Sequence, residues 1–538
     1  MAAIVTDQFR ILNANNFVDS VESTTNSYYV FVGLSNPTTV GYGRTSDWST
    51  NTPAPIDTFS NNKHTGDTMM YGKKITSANI RRIIRKVDWV SGTRYEIYRD
   101  DYSISNPSPL TRASRLYQTN YYVMNSDYRV YICIENGSSG SLPTGNVSQD
   151  EPTFTDLEPS RAGDSGDGYI WKYLFTVPPS DIIKFDSTEY ITVPNDWGNT
   201  TDTQIRSVRE NGDSSVNENQ IKTVYIEKSG DNYANGLGQE LDILGDGSGG
   251  KVRVDVISNK ITDTTVTAGG KGYSYGIVDL GSLNSNVPAN NRAKLIPIIP
   301  PSLGHGYDAY TELGTDKILI YARFDDSTKD FPIDTKFAQI GIVKNPTSIG
   351  STQIYNQTQY SSVSSLYLNV FPDTGVKIGD LLTQNVQNDS GTTIGQVRGY
   401  VVSFDITSSD TNNRIAVLKY SRDRSLLFDT ATGNQSDTTG ISSTAGSNGQ
   451  IYDFTTSGQP INGTDGSSAL TFTINSNFSG ITTNPTGTKV VDLGVEFKNG
   501  LSQSEINNQS GDIIYLDNRQ LITRDSRQKE DIKVILEF

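Results

Sequence analysis

Cysteine and histidine are almost missing from this sequence of 538 residues. It has one cysteine, Cys133, and two histidines, His64 and His305. A single cysteine excludes a disulfide within the chain and favours folding in a reducing cytoplasm. The two histidines are predicted to lie in unrelated loops, and neither has a second histidine at metal-ligand spacing. The sequence therefore predicts no metal site and no cofactor.

Long apolar runs and excess positive charge are also missing. No apolar stretch approaches the roughly 18–20 residues that a membrane-spanning helix needs, so no membrane insertion is expected. The N-terminus carries Asp7 and Arg10 and does not read as a signal peptide. With 45 basic against 60 acidic residues the net charge is −15, which argues against a nucleic-acid partner.

Catalytic motifs are absent as well. No Gly-x-Ser-x-Gly elbow lies beside a predicted strand, and Cys133 has no sequence neighbour that would activate it. The sequence thus predicts a protein that is not an enzyme. One alternative stays open, because a glycosidase can assemble two carboxylates from distant positions of the chain.

The composition that is present indicates a mainly β protein. Only 34% of the residues are hydrophobic, while glycine (48) and tyrosine (29) are abundant. Tyrosine favours strands, and glycine, serine and asparagine favour the turns between them. The length predicts two to four domains.

The segment Asp164–Pro179, DSGDGYIWKYLFTVPP, predicts a central strand. It opens on a glycine-containing turn, continues with aromatic and β-branched residues, and stops at two prolines that cannot donate to a sheet. Asp127–Glu135 alternates polar and apolar residues and predicts a strand with one solvated face. Ser27–Gly33 predicts a further strand.

One helix is predicted near the N-terminus, from Asp7 to about Ser20, with Thr6 as its N-cap. Phe9, Leu12 and Phe17 are its candidate buried face, although their spacing is imperfect.

A weak internal repeat lies in residues 205–299. SGDNYANGL at 229–237 aligns with GGKGYSYGI at 269–277, and a glycine-rich turn, GDGSGG, lies between them. This turn leads into the alternating strand KVRVDV rather than into a helix, and it has too few carboxylates for calcium. Two copies predict one small β domain with two similar halves.

A second distinct segment covers residues 349–505. Its first half, Leu366–Tyr420, alternates like a small barrel or sandwich of five or six strands. Its second half has no Lys or Arg between Asp429 and Lys489. That composition is typical of exposed β loops or of a poorly ordered arm.

A basic stretch at residues 71–100 stands out in this acidic chain, with eight basic residues against three acidic ones. It is either a solvated strand edge or a docking face for an acidic partner subunit. The candidate interface residues are Arg81, Arg82, Arg85, Lys86 and, in a polar loop, Trp48. Trp48 is either a loop anchor folded onto the core or a partner contact.

Four blocks in the right order give the chain a family resemblance. They are the N-terminal AIVT, the Arg81–Trp89 region, GDGY-W-YLF-PP within 164–179 followed by EYITVP at 189–194, and the C-terminus from Ser510 to Phe538. Together they resemble the baseplate wedge proteins of T-even-like contractile-tailed phages. The resemblance returns around residues 304–346 and lapses in the two segments described above.

The resemblance implies a layered β-sandwich scaffold with an N-terminal helix and two inserted small β domains. Its segments would be scaffold at 1–204, 300–348 and 506–538, with insertions at 205–299 and 349–505. It also implies a homodimer, contacts with other wedge subunits and six-fold repetition around the tail hub. The expected location is the virion tail baseplate, and the expected role includes the rearrangement that triggers sheath contraction. The alternative function is a carbohydrate-binding tail adhesin or glycan depolymerase.

Overall fold

A computed structural model describes residues 5–34, 52–213, 220–325, 336–368, 380–406, 416–422, 453–456, 459–464, 469–481, 496–523 and 528–538. The chain divides into two units. The first spans Met1–Val18, Arg81–Leu319 and Val534–Phe538, and the second spans Asp19–Ile80 and Ile320–Lys533.

The prediction of a mainly β protein is confirmed. The α-helices of the described residues are α1 (Asp7–Glu22), α2 (Phe59–Thr68), α3 (Pro179–Phe185), α4 (Thr203–Asp213) and α5 (Ala309–Leu313). The strands are β1 (Tyr28–Gly33), β2 (Met69–Ile75), β3 (Ile80–Arg85), β4 (Tyr122–Met124), β5 (Arg129–Asn136), β6 (Ser160–Arg161), β7 (Tyr169–Thr176), β8 (Tyr190–Val193), β9 (Val224–Lys228), β10 (Gly236–Gly245), β11 (Ser248–Ile257), β12 (Lys260–Lys271), β13 (Gly276–Val278), β14 (Lys294–Pro297), β15 (Lys317–Phe324), β16 (Lys336–Lys344), β17 (Gln359–Ser361), β18 (Ser364–Leu368), β19 (Leu381–Gln387), β20 (Thr393–Ile406), β21 (Ala416–Arg422), β22 (Ile461–Thr464), β23 (Ala469–Phe472), β24 (Gly480–Ile481), β25 (Glu496–Phe497), β26 (Leu501–Ser502), β27 (Asp512–Thr523) and β28 (Glu530–Glu537).

The predicted central strand is confirmed as β7, which lies inside a four-stranded sheet of order β4-β5-β7-β6. Trp171 is fully buried and stacks on Tyr169, with ring centroids 5.3 Å apart. Helix α3 begins at Pro179, because proline fixes a helical φ and needs no amide donor at a first helical position. A second four-stranded sheet in this part of the fold has the order β28-β15-β3-β8.

Helix α1 confirms the predicted start, since the Phe9 amide donates to Thr6 Oγ1 at 3.3 Å. The predicted buried face is wrong at two of its three residues, and the third, Phe17, is half-buried with its ring 5.7 Å from that of Phe538. Phe9 and Leu12 are 53% and 52% exposed, whereas Ile11, Ala14 and Val18 are buried. The buried residues recur at three and four positions, which is the spacing of a single helix face.

Strand β5 differs from the expectation of one solvated face. The five consecutive residues from Val130 to Ile134 are all buried, because β5 pairs with β4 on one side and β7 on the other and is covered on both faces. Cys133 is a buried small residue, and burial raises the pKa of its thiol well above the usual value.

The first predicted insertion contains a hydrophobic core of its own. A four-stranded sheet of order β12-β11-β10-β13 and the pair β14-β9 enclose a core of buried residues from Ile221 to Leu295. Strand β9 alternates between two cores, because Val224 and Ile226 join this one while Tyr225 packs with the residues around β7. The domain boundaries themselves stay a prediction.

The two aligned repeat segments have the same local backbone. Gly230 and Gly270 have φ values of 69° and 64°, and a buried tyrosine follows each of them, Tyr233 or Tyr273. A Cβ atom at Gly230 would lie 2.5 Å from Cε2 of Tyr233, and one at Gly270 would lie 2.7 Å from Cε2 of Tyr273. Glycine is therefore required at both positions for two reasons: the backbone is left-handed there, and a Cβ atom would collide with the tyrosine ring.

The second unit contains a five-stranded sheet of order β17-β2-β1-β16-β27. It joins strands from the first 75 residues to the C-terminal strand Asp512–Thr523. A seven-stranded sheet of order β23-β22-β19-β20-β21-β18-β26 occupies residues 364–502. Within the described residues, four of its strands, β18 to β21, lie in or overlap Leu366–Tyr420, the segment for which five or six strands were expected. Much of the Ser/Thr/Gly-rich half, including residues 423–452 and 482–495, lies outside the described residues.

The carboxyl group of Glu135 predicts a pH dependence of stability. Burial raises its pKa from 4.5 to about 7. A hydrogen bond with Thr223 opposes this shift, the negative charge of Asp263 adds to it, and the positive charge of Arg161 opposes it. A carboxyl whose pKa is raised by folding holds its proton more tightly in the folded protein. The contribution of Glu135 to the free energy of unfolding is fully present below pH 4.5 and is lost as pH rises through about 7.

We therefore expect Glu135→Gln to flatten the loss of stability between pH 4.5 and 7 and to stabilise the protein at pH 8 by about 2 kcal/mol. Denaturant unfolding of both proteins at several pH values measures this. Parallel pH curves for the variant and the wild type would contradict it.

Candidate cationic interface

The arginine-rich part of the basic stretch forms β3, Ile-Arg-Arg-Ile-Ile-Arg, which pairs antiparallel with β8. Its isoleucines are buried, so the strand is held by the core while its three arginines take different environments. The following residue, Lys86, donates its amide to the carbonyl of Glu189 at 2.7 Å. Arg81, Arg82 and Arg85 therefore lie on one short, well-anchored strand, and Lys86 follows it directly.

Arg81 is paired within the protein. Its Nε donates to Oδ2 of Asp181 at 2.7 Å, and the Asp181 side chain is 2% exposed. The guanidinium carbon also lies 5.2 Å from the ring centre of Phe185. A buried carboxylate needs such a partner, so Arg81 has a structural role in the first unit.

Arg82 is buried, with 3% of its surface exposed. Its Nε donates to Asn15 Oδ1 at 2.6 Å, and Nη1 contacts the carbonyl oxygen of Asn195 at 3.4 Å. The guanidinium carbon lies 4.1 Å from the centre of the Tyr310 ring. Arg82 therefore joins the N-terminal helix to the strand ends beneath it, and a partner has no access to most of this side chain.

Arg85 and Lys86 lie beside an open cleft. The Arg85 guanidinium donates to the carbonyl of Thr119 at 2.7 Å, and the Lys86 Nζ is 3.8 Å from Oδ2 of Asp88. The hydroxyl of Tyr122 donates to the Arg85 carbonyl at 2.6 Å, which fixes the backbone from which this side chain extends. Of the predicted interface residues that the structure describes, these two face accessible space.

The cleft has a volume of about 650 Å³ and lies entirely within the first unit. We call it the cationic cleft. Five basic residues line it: Arg10, Arg85, Lys86, Arg115 and Lys317. Three acidic residues line it: Glu189, Asp316 and Glu537. The lining therefore has an excess of two positive charges in a protein whose net charge is −15.

Some of these cations are paired inside the protein. Lys317 Nζ lies 2.9 Å from Asp316 and 3.2 Å from Glu537. Burial lowers the pKa of Lys317, but the hydrogen bonds and charges of the two carboxylates outweigh burial, so the pKa is raised overall. Arg115 Nε donates to Asp7 at 3.0 Å. These pairs hold the walls of the cleft together and hold their charges in place.

Other donors in the cleft retain capacity for a ligand. Nε of Arg10 is buried and has no hydrogen-bond partner among the described residues, and its Nη1 is 4.0 Å from Glu537. No described carboxylate lies within 4.0 Å of the Arg85 guanidinium, whose five donors exceed its single bond to Thr119. An anionic group entering the cleft can accept hydrogen bonds from the donors of Arg85 that Thr119 does not use.

Sequence reasoning found Arg85 and Lys86 but missed Arg10, Arg115 and Lys317. These three are far apart in the chain, and only the arrangement of α1, the loop before β4 and β15 brings them together. No local pattern in the sequence reports that arrangement. Trp48 lies outside the described residues.

Within the described residues, no group of three or more His, Cys, Asp or Glu side chains is placed to hold a metal ion. None of the described helices has both the length and the apolarity needed to cross a membrane. The residues that the structure describes therefore define a mainly β protein whose candidate site is a charged surface for binding another molecule.

Comparison with known proteins identifies a relative of this class. The family model described as "Bacteriophage T4, Gp8" matches residues 131–243. A relative, the baseplate wedge protein gp8 of Enterobacteria phage T4, is 27% identical over 220 residues. That match covers 36% of this chain, which spans 60% of the length of the relative. The resemblance to baseplate wedge proteins of T4-like phages is confirmed.

Proposed function

We propose that this chain is a structural subunit of a phage tail baseplate wedge and acts through binding surfaces rather than by catalysis. The observations that support it are the match to the T4 wedge protein and the match of the family model to residues 131–243, which include β7 and most of β5. The location that follows is the tail baseplate of the virion, after synthesis and assembly in the host cytoplasm.

The finer parts of the proposal follow from the same relationship. They are a homodimer, contacts with other wedge subunits, six-fold repetition around the tail hub and a share in the rearrangement that triggers sheath contraction. A symmetric dimer presents the same surface on both copies, and a rearrangement needs packed interfaces that have two arrangements. Cryo-electron microscopy of assembled tails measures the copy number and the arrangement.

The cationic cleft is the surface that we propose for one of these contacts. Arg85, Lys86 and Arg10 present donors around a space of about 650 Å³, large enough for several residues of an extended peptide. Complementarity favours an acidic segment of a neighbouring wedge subunit, since like charges across an interface cost binding energy. The excess positive charge of the lining is opposite to the charge of the whole chain.

Reversing both accessible charges, Arg85→Glu with Lys86→Glu, is expected to weaken wedge assembly at least roughly tenfold, or about 1.4 kcal/mol. Arg85 ends β3 and Lys86 follows it, and both side chains reach the surface, so the thermal transition should stay where it is. Binding to purified wedge subunits, measured at low and at high salt, tests this. The effect should shrink as salt rises.

The matched control reverses two exposed charges elsewhere in the first unit, Arg206→Glu with Lys294→Glu. Their side chains are 52% and 62% exposed, and each is paired with one glutamate. The control should bind its partners as the wild type does. If the cleft variant folds and also binds as the wild type does, the cationic cleft is not a docking site.

A further inference from the structure

A lysine amine, a side-chain amide and a carboxylate form a line that runs from the core of the first unit to its surface. Lys172 is on β7 and is 2% exposed. Its Nζ contacts the carbonyl of Leu157 and lies 3.0 Å from Oδ1 of Asn211 at the end of α4. Asn211 Nδ2 donates in turn to Oε1 of Glu158 at 3.0 Å. None of the three belongs to the cationic cleft or to the proposed docking contact.

The protonation states of Lys172 and Glu158 permit an amide exchange. Burial lowers the pKa of Lys172 to about 8; the negative charges of Glu158 and Glu312 oppose that shift and the charge of Lys222 adds to it. With this pKa about a tenth of the amine is neutral and nucleophilic at pH 7. Burial raises the pKa of the Glu158 carboxyl, but hydrogen bonds from Lys222 and Asn211 outweigh it, so this carboxylate stays ionised and can accept a proton.

We propose that Lys172 and Asn211 form an intramolecular isopeptide bond, with Glu158 as the proton carrier. The lone pair of Lys172 Nζ attacks Cγ of Asn211, and the carbonyl π electrons move to Oδ1. A proton from Nζ goes to Glu158 and then to Nδ2, the Cγ–Nδ2 bond breaks, and ammonia leaves. A primary amide and an amine become a secondary amide and ammonia, so no oxidant, reductant or co-reactant is needed.

The neighbouring contacts support this assignment. The Leu157 carbonyl contacts the same Nζ and orients it within the core. Lys222 Nζ lies 2.7 Å from Oε2 of Glu158, which leaves Oε1 directed at the leaving nitrogen of Asn211. The bond would join β7 to α4 across 39 positions of the sequence, and it would hold the helix against the central strand.

The direct test is the intact mass of the purified full-length chain in denaturant. The bond lowers it by about 17 Da, the mass of ammonia, relative to the sequence. Asn211 precedes a glycine, and ring closure at such a site also releases ammonia, so tryptic peptides must be mapped. The expected result is a branched peptide joined through Lys172 and Asn211. An unchanged mass, or the same loss on a linear Asn211 peptide, would overturn the proposal.

Two carboxamide substitutions separate the role of Glu158 from a general effect of charge. Glu158→Gln removes the proton acceptor from a side chain that is 55% exposed, so the fold should persist while the linked fraction falls at least several-fold. Glu240→Gln is the matched control, since Glu240 likewise contacts an exposed lysine, Lys251, at 2.7 Å. The control should be linked as fully as the wild type. Full linkage in the Glu158 variant would overturn the role given to that residue.

Discussion

Replacing Arg82 by alanine is expected to lower the free energy of unfolding of the first unit by about 3 kcal/mol. The substitution removes a buried guanidinium that bonds to Asn15 and Asn195 and stacks on Tyr310. It leaves Oδ1 of Asn15 without the Nε donor of Arg82, and a buried acceptor that loses its donor and cannot reach water costs about 1–3 kcal/mol.

Arg85→Ala is the matched control for this experiment. Arg85 is three positions further along the same strand but is exposed, so its loss should change stability by no more than about 0.5 kcal/mol. Differential scanning calorimetry of both variants measures the difference in the transition of the first unit. Equal shifts for the two variants would mean that Arg82 does not support the fold.

Removing both insertions is expected to leave a soluble protein that unfolds cooperatively. The ends of the first proposed insertion lie where the chain pairs with itself. Tyr225 is opposite Ile296 in the β9–β14 register, and the Ile298 amide donates to the Thr223 carbonyl at 3.1 Å. Tyr225 and Ile296 pack on the core around β7, whereas their neighbours Ile226 and Leu295 pack on the core of the insertion.

The deletion should therefore remove Ile226–Leu295 and join Tyr225 to Ile296 by Asn-Gly, which suits a tight hairpin turn. This deletion is shorter than the insertion 205–299 expected from the sequence, because helix α4 packs on β7 and must be kept. Ile205 and Val208 of that helix are buried in the core around β7.

The second insertion has similarly close ends. Ser365 pairs with Ser502, and the Glu505 amide donates to the Ser361 carbonyl at 2.9 Å. A deletion of Ser364–Ser502 with a short Gly/Ser linker keeps β17, whose Tyr360 packs on Tyr29. The core of the removed part, from Leu366 to Leu501, leaves with it.

A truncation lacking only Ile532–Phe538 gives the opposing comparison. It removes most of β28, an outer strand of its sheet, and leaves β15 as an unpaired edge with a largely buried, apolar sequence. It also removes the Phe538 ring, which lies 5.7 Å from Phe17. We expect this shorter deletion to aggregate. If it folds normally while the insertion-free variant aggregates, the proposed domain layout is wrong.

Strands with strong local patterns could be predicted from the sequence. Which residues are buried by tertiary contacts could not. The strand Tyr169–Thr176 is rich in aromatic residues, follows a glycine-containing turn and is followed by two prolines. Local chemistry was therefore enough to predict it. Helix α1 was predicted near its true ends, but its aromatic residues misled the choice of buried face. Phe9 is exposed although it is large, and the small Ala14 is fully buried.

The candidate site was predictable only in part for the same reason. The pattern Arg-Arg-Ile-Ile-Arg identifies a charged strand, but it does not tell which arginine the rest of the chain covers. Arg82 is covered because α1 and Tyr310 approach it, and both come from distant sequence. Burial of β5 on both faces depends likewise on loops and helices that its own alternation does not report.

Cryo-electron microscopy of intact tails from the phage that encodes this chain tests the central claim most directly. The account predicts paired copies of the chain in each wedge of a six-fold baseplate, with an acidic segment of another subunit in the cationic cleft beside Arg85 and Lys86. A baseplate without the chain, or the chain located elsewhere in the virion, would contradict the account. An empty cleft in an otherwise matching baseplate would contradict the docking proposal alone.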